Sequence, residues 1–168
     1  MKFQLVDRIV ALESGVSIRT VKNVSLAEEY LQDHFPGFPV LPGVMMVESL
    51  VQASAWLLRD RADFAYSMTL LQEAKAVKFN SFVKPGRTLC IESKFVKESD
   101  GLVTVKATGH LNGFADDGGE SAVSARLVLE QFNMADMDSD RAIRDERLIA
   151  TLKTDFGVLW NPEAAAAA

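Results

Sequence analysis

A histidine followed fourteen residues later by a glutamate inside an apolar run is the pair in this sequence best equipped for chemistry. Glu48 stands in the string Val44-Met45-Met46-Val47-Glu48-Ser49-Leu50-Val51, where an ionised carboxylate costs several kcal/mol unless it is paired or takes up a proton. A carboxyl that keeps its proton in such a place is a usable general acid. Gln52 follows at i+4, on the same helical face, within reach of the Glu48 carboxyl. His34 closes a short polar segment just before the turn Phe35-Pro36-Gly37-Phe38-Pro39, a placement that can fix the direction of an imidazole acting as base. Each residue also has a plainer reading. Glu48 can meet an inner polar contact, and His34 can sit against the end of a helix dipole.

Other chemistries find less support. The two histidines, His34 and His110, lack the cysteine or acidic spacing of a metal site, so none is expected. Neither a phosphate-cradling glycine loop nor a G-x-S-x-G elbow is present.

The elements that must hold the pair can be read from periodicity. Phe3 to Leu12 and Val16 to Val24 read as a hairpin about Ser14-Gly15. Ser25 and Glu28 have the spacing of a capping box, which predicts a helix from Leu26 to Gln32. From Pro42-Gly43 to about Ala62 no further glycine or proline occurs, and apolar residues occupy nearly every face, which predicts a buried central helix. Four strands are expected next, at Ser67–Phe79, Thr88–Lys97, Leu102–Leu111 and Ala122–Phe132. Turns at Pro85-Gly86, Asp100-Gly101 and Asp116 to Gly119 separate them. Such short connections favour antiparallel neighbours, so the expected class is α+β: a long central helix wrapped by an antiparallel sheet of five to six strands. The domain is expected to span 1–133, with 134–168 as a C-terminal extension. There Ile143, Leu148, Ile149 and Leu152 predict a docked amphipathic helix, Phe156 to Trp160 can tuck back, and Ala164 to Ala168 is low-complexity.

Bulk properties narrow the class. The 168 residues fit one domain, and 48% hydrophobic with 24% charged is ordinary globular usage. A net charge of -5 argues against nucleic acid as a partner. The lone Cys90 and the absence of a signal-peptide pattern make the cytoplasm the expected location. Glu48, Gln52 and Ser54 break the longest apolar run, so no membrane span is expected.

The segment His34-Phe35-Pro36-Gly37-Phe38-Pro39-Val40-Leu41-Pro42-Gly43, continued by Val47-Glu48-Ser49-Leu50-Val51-Gln52, resembles the bacterial 3-hydroxyacyl-acyl-carrier-protein dehydratases. Leu5-Val6-Asp7-Arg8-Ile9, Lys22-Asn23-Val24, Lys78-Phe79 and Pro85-Gly86 extend the likeness over about residues 3 to 132. The resemblance implies a hot-dog fold and a homodimer, with a trimer of dimers as its higher form. It implies catalytic His34 and Glu48 drawn from different chains, and a thioester oxygen held by backbone amides at Gly43 and Val44. Pro42, Phe35, Gly37 and Gln52 would support them. No cofactor is implied, and the substrate would be a thioester of acyl carrier protein or coenzyme A. Two departures stand out: Asp33 where the family commonly has glycine, and Arg87 after Pro85-Gly86 in place of a frequent acid.

Two rival functions stay open on the residues alone: a hot-dog thioesterase in which Glu48 activates water, and a non-catalytic acyl-binding subunit. Lys75, Lys78, Lys84 and Arg87 form a candidate docking patch for an acidic carrier, against the simpler reading of solvated strand ends.

Overall fold

The stretch from Val44 to Ala62 contains neither a helix breaker nor a strand-like alternation, and it folds as one helix, α2 (Gly43–Arg61). The structure is a computed structural model and describes residues 3–35 and 37–162, with Asp33 described through its backbone alone. Around α2 runs a single antiparallel sheet of β1 (Arg8–Glu13), β2 (Ser17–Asn23), β3 (Met68–Phe79), β4 (Thr88–Ser99), β5 (Leu102–Leu111) and β6 (Glu120–Phe132). Their order is β1-β2-β4-β5-β6-β3. The expected five to six strands are six, and the four after α2 begin and end within two residues of the sequence reading.

The core lies between α2 and the inner face of this sheet. Leu50, Ala53, Leu57 and Leu58 are fully buried, as are Ile18, Leu89, Ile91, Val105, Leu127 and Leu129 of the strands. Each such leucine contributes about 1.5 to 3 kcal/mol relative to an exposed one. The polar Ser54 is accommodated because its hydroxyl donates to the Leu50 carbonyl and lies 2.8 Å from the hydroxyl of Ser93 on β4.

Three expectations need correction. The first strand starts at Arg8, not Phe3. The amide of Leu5 donates to the Gln52 side chain at 2.9 Å, so the segment before Asp7 is tied to α2 and not to a neighbouring strand. The helix expected over Leu26 to Gln32 shrinks to α1 (Tyr30–Asp33), and the capping box does not form. Ser25 Oγ accepts from the Ala27 amide, while Glu28 is drawn 2.8 Å from Lys22 Nζ, an ammonium almost fully buried and also 3.3 Å from Asp7. A buried cation needs carboxylates more than a surface helix needs a cap. In the extension, α3 (Ala142–Leu159) packs on the core through Ile149, Leu152 and Phe156, whereas Leu148 is only partly buried and Ile143 is 62% exposed and outside the stripe.

The extension is pinned by Asp145. Its carboxylate accepts from the Met134 amide at 3.0 Å, the Ala135 amide at 2.8 Å and the Ser67 hydroxyl at the start of β3. Phe156 then stacks near Phe64 and Trp56, at 5.2 and 5.9 Å between ring centroids. Val158 points outward, and Ala164 to Ala168 lies outside the described residues.

Among the described residues no helix is long and apolar enough to cross a membrane.

Candidate active site

The turn after α1 sets His34. The backbone leaves the helix in an extended conformation at His34, φ -98° and ψ 105°, and then enters the left-handed region at Phe35, φ 53°, a costly state for a residue with a side chain. Gly37 at φ 87° completes the reversal without that cost, and the Phe38 amide donates to the Phe35 carbonyl at 2.8 Å. The imidazole stands half-buried with its centroid 4.4 Å from the Phe35 ring.

His34 and Phe35 face a cavity of about 400 Å³ shared with Val40, Leu41, Gly43 and Met46, and closed opposite by Phe79 to Phe82. Gly43 is the first residue of α2, after the buried Pro42. The amides of Met45 and Met46 both reach the Pro42 carbonyl, at 2.9 and 3.0 Å, and the amides of Gly43 and Val44 meet no acceptor among the described residues. A Cβ at position 43 would sit 3.2 Å from the Phe79 ring, so glycine lets the helix start and the aromatic wall approach closely. The Val44 side chain is 75% exposed and lines no part of the cavity, so its backbone amide is what it could offer.

Glu48 lies elsewhere. It is half-buried, and its Oε1 accepts from Gln52 Nε2 at 2.9 Å, the i+4 pair expected from the spacing. Gln52 is held in turn, donating to the Phe3 carbonyl at 3.0 Å while its own carbonyl accepts from the Leu5 amide. Three bonds fix the amide, and the amide fixes the carboxyl. Glu48 and Gln52 line a second cavity, of about 270 Å³, with residues of α2, the N-terminal segment, β3 and α3. Within one chain His34 and Glu48 therefore face different cavities.

Sequence reasoning missed the opposite wall of the first cavity, Asn80 and Ser81 with Phe79 and Phe82, and most of the second, Trp56, Arg59, Thr69 and the α3 side chains. Arg59 had a readable signal, since eleven residues from Glu48 is about three helical turns on one face. Of the candidate docking residues, Lys75 pairs with Glu73 at 2.8 Å, and Lys84 lies over the Phe38 ring, which meets Phe82 edge-on. His110 is structural, its Nδ1 3.2 Å from the Gly119 carbonyl. Among the described residues no three His, Cys, Asp or Glu side chains are grouped to hold a metal. The Asp33 side chain, expected beside the base, lies outside the described residues.

Comparisons with known proteins give the family and the fold. Residues 1–117 match the FabA-like domain family. The chain is similar to the 3-hydroxyacyl-acyl-carrier-protein dehydratase FabZ of Albidiferax ferrireducens, 42% identical over 129 residues, covering 75% of this chain and 82% of the relative. It is also similar to the FabZ of Oenococcus oeni, 40% identical over 124 residues, covering 74% and 85%. Among solved structures, the dehydratase heterocomplex ApeI:P from Xenorhabdus doucetiae superposes with a TM-score of 0.63 at 19% identity, over 83% of this chain and 90% of the other. The Escherichia coli PaaI protein does so at 0.54 and 9%, over 74% and 78%. At these identities the two structures speak for the hot-dog fold alone.

Proposed function

The chain belongs to the FabA-like family and is a 3-hydroxyacyl-thioester dehydratase of fatty acid synthesis, and we propose that it works through His34 of one protomer and Glu48 of a second. The observation that carries the two-chain reading is the separation of the two groups within one chain: His34 shares a cavity with the start of α2, while Glu48 is clamped by Gln52 on another. One chain supplies two half-sites, and a partner related by a two-fold axis completes both.

The edge of the sheet supports such a partner. Strand β3 pairs with β6 on one side and is open on the other, and most of its residues are exposed, Leu70, Leu71 and Phe79 among them. An open edge of twelve residues that exposes these apolar side chains invites a second copy.

In the assembled site the imidazole of His34 takes the α-proton. The electron pair left on the α-carbon moves toward the thioester carbonyl, whose oxygen is met by the Gly43 amide and the positive end of α2. The Glu48 carboxyl gives its proton to the 3-hydroxyl, the C3–O bond breaks, and water leaves as the C2–C3 double bond forms. One proton is gained at His34 and one lost at Glu48, so the net charge of the site is unchanged, and both groups are reset when a proton passes from His34 back to Glu48 through solvent. The Gln52 amide holds Glu48 in place. Acyl carrier protein is the carrier we assign, with Lys84 near the Phe38–Phe82 rim as a contact for it. Residues 1–133 form the dehydratase domain in this reading, residues 134–168 an addition to it, and the cytoplasm is its place of work.

The test is a 3-hydroxyacyl-carrier thioester followed for enoyl absorbance and free thiol together. Enoyl growth without thiol is the expected result. Thiol release would make the chain a thioesterase, and no change in either would make it a binding subunit.

A further inference from the structure

The cavity behind Glu48 has a wall outside the FabA-like match, which ends at residue 117. Leu152, Asp155 and Leu159 of α3 form it. Opposite them runs a stripe of α2 from Glu48 through Gln52 and Trp56 to Arg59. The eleven steps from Glu48 to Arg59 rise about 16 Å along the helix axis.

Arg59 is unusual there. Its guanidinium lies 4.8 Å over the Trp56 ring, its Nε is buried without a hydrogen-bond partner, and among the described residues no carboxylate forms an ion pair with it. Burial alone pushes its pKa down, to about 10, so it remains a cation at neutral pH. A second group points the same way: Thr69 of β3 is only 9% exposed, lines the same cavity, and its hydroxyl has no partner. A mostly buried cation and a buried hydroxyl, both unmet, make a receptor for an anionic oxygen.

We propose that this cavity receives the far end of an acyl chain that terminates in a carboxylate, held by Arg59 and Thr69, with α3 as the wall that ends the chain there. The proposal rests on Glu48 meeting the 3-hydroxyl, because that places the acyl chain along the same stripe. The span suits a chain on the order of ten carbons, given C–C bonds of about 1.5 Å laid out in a zigzag.

The test compares 3-hydroxyacyl thioesters of matched length on one carrier, ending in carboxylate or in methyl. The wild-type chain should favour the carboxyl-ended substrate by about tenfold or more in kcat/KM, the scale on which a site rejects a ligand that leaves its buried polar groups unpaired. In Arg59→Gln that ratio should fall at least tenfold, mainly through KM, and in Thr69→Val by a smaller factor. Equal use of the two substrates by the wild type, a methyl preference, or an unchanged ratio in Arg59→Gln overturns the proposal. If Arg59→Gln does not fold, the wild-type ratio decides alone. If the wild type dehydrates neither substrate, the dehydratase reading fails. Calorimetric binding of the saturated carboxyl-ended and methyl-ended acyl thioesters then decides this proposal separately, tighter binding of the first supporting it and any other order overturning it.

Discussion

At the scale of single residues, the site is built from side chains whose freedom has been removed by their neighbours. Phe35 is forced to φ 53° directly after His34, and Gln52 commits both its N–H donors, to Phe3 and Glu48, and its carbonyl oxygen, to Leu5. Glu48→Gln and His34→Ala should each lower turnover by at least about a hundredfold, the usual scale for a positioned acid or base, in a steady-state dehydration assay. Normal rates in either variant would refute the assignment. In the proposed site Gln52 acts as a positioning residue, so Gln52→Met should lower kcat more than it raises KM. The Leu5 amide it leaves unmet should cost about 1 to 3 kcal/mol in denaturant unfolding. An equal loss of stability with kcat intact would make Gln52 a structural strut alone. The Glu48–Gln52 bond was legible from i,i+4 spacing. The bonds to Phe3 and Leu5 were not, because they join positions 49 and 47 residues apart and no local pattern encodes that meeting.

At the scale of elements, α3 is the part whose attachment has a chemical switch. Burial opposes ionisation of Asp145, but the Ser67 hydroxyl and the Ala135 and Met134 amides outweigh it and hold the carboxyl below the ordinary aspartate range. A depressed pKa means the contribution is fully present above the unfolded value of about 3.9 and is lost as pH falls through the lower folded value. Acidification from pH 6 to 3 should therefore loosen α3 early, read as faster hydrogen exchange over Ala142–Leu159 than over α2. Asp145→Asn should flatten that pH dependence, and identical profiles for the two proteins would remove Asp145 as the anchor. The central helix and β3 to β6 were legible because an unbroken apolar run and turn residues are local signals. The α1 boundary was not, since the capping-box glutamate answers to Lys22 on a strand. Ile143 belonged to the expected stripe by spacing, yet α3 turns its Asp145 face inward because the three donors to that carboxylate lie there.

At the scale of the whole molecule, the strongest consequence is that no single protomer should be able to turn over substrate. His34 with Gly43 and Glu48 with Gln52 face separate cavities, and the open edge of β3 carries exposed Leu70, Leu71 and Phe79. If each site takes its base from one chain and its acid from the other, inactive His34→Ala and inactive Glu48→Gln chains complement each other. In a mixed dimer one site carries both lesions and the other carries none. Unfolding and refolding the two variants together at equal concentration makes half of the dimers mixed, and half of their sites are intact. Activity should then return to about a quarter of the wild-type value, as two-fold symmetry requires. A site contained within one chain would be damaged in every protomer whatever its partner, and the mixture would stay as inactive as its components. A charge such as Leu71→Lys at the β3 edge should also hold the chain monomeric in sedimentation and abolish turnover while leaving α2 and its core folded, because like charges brought together across a shared edge oppose pairing. An active monomer in that experiment would return both halves of the site to a single chain.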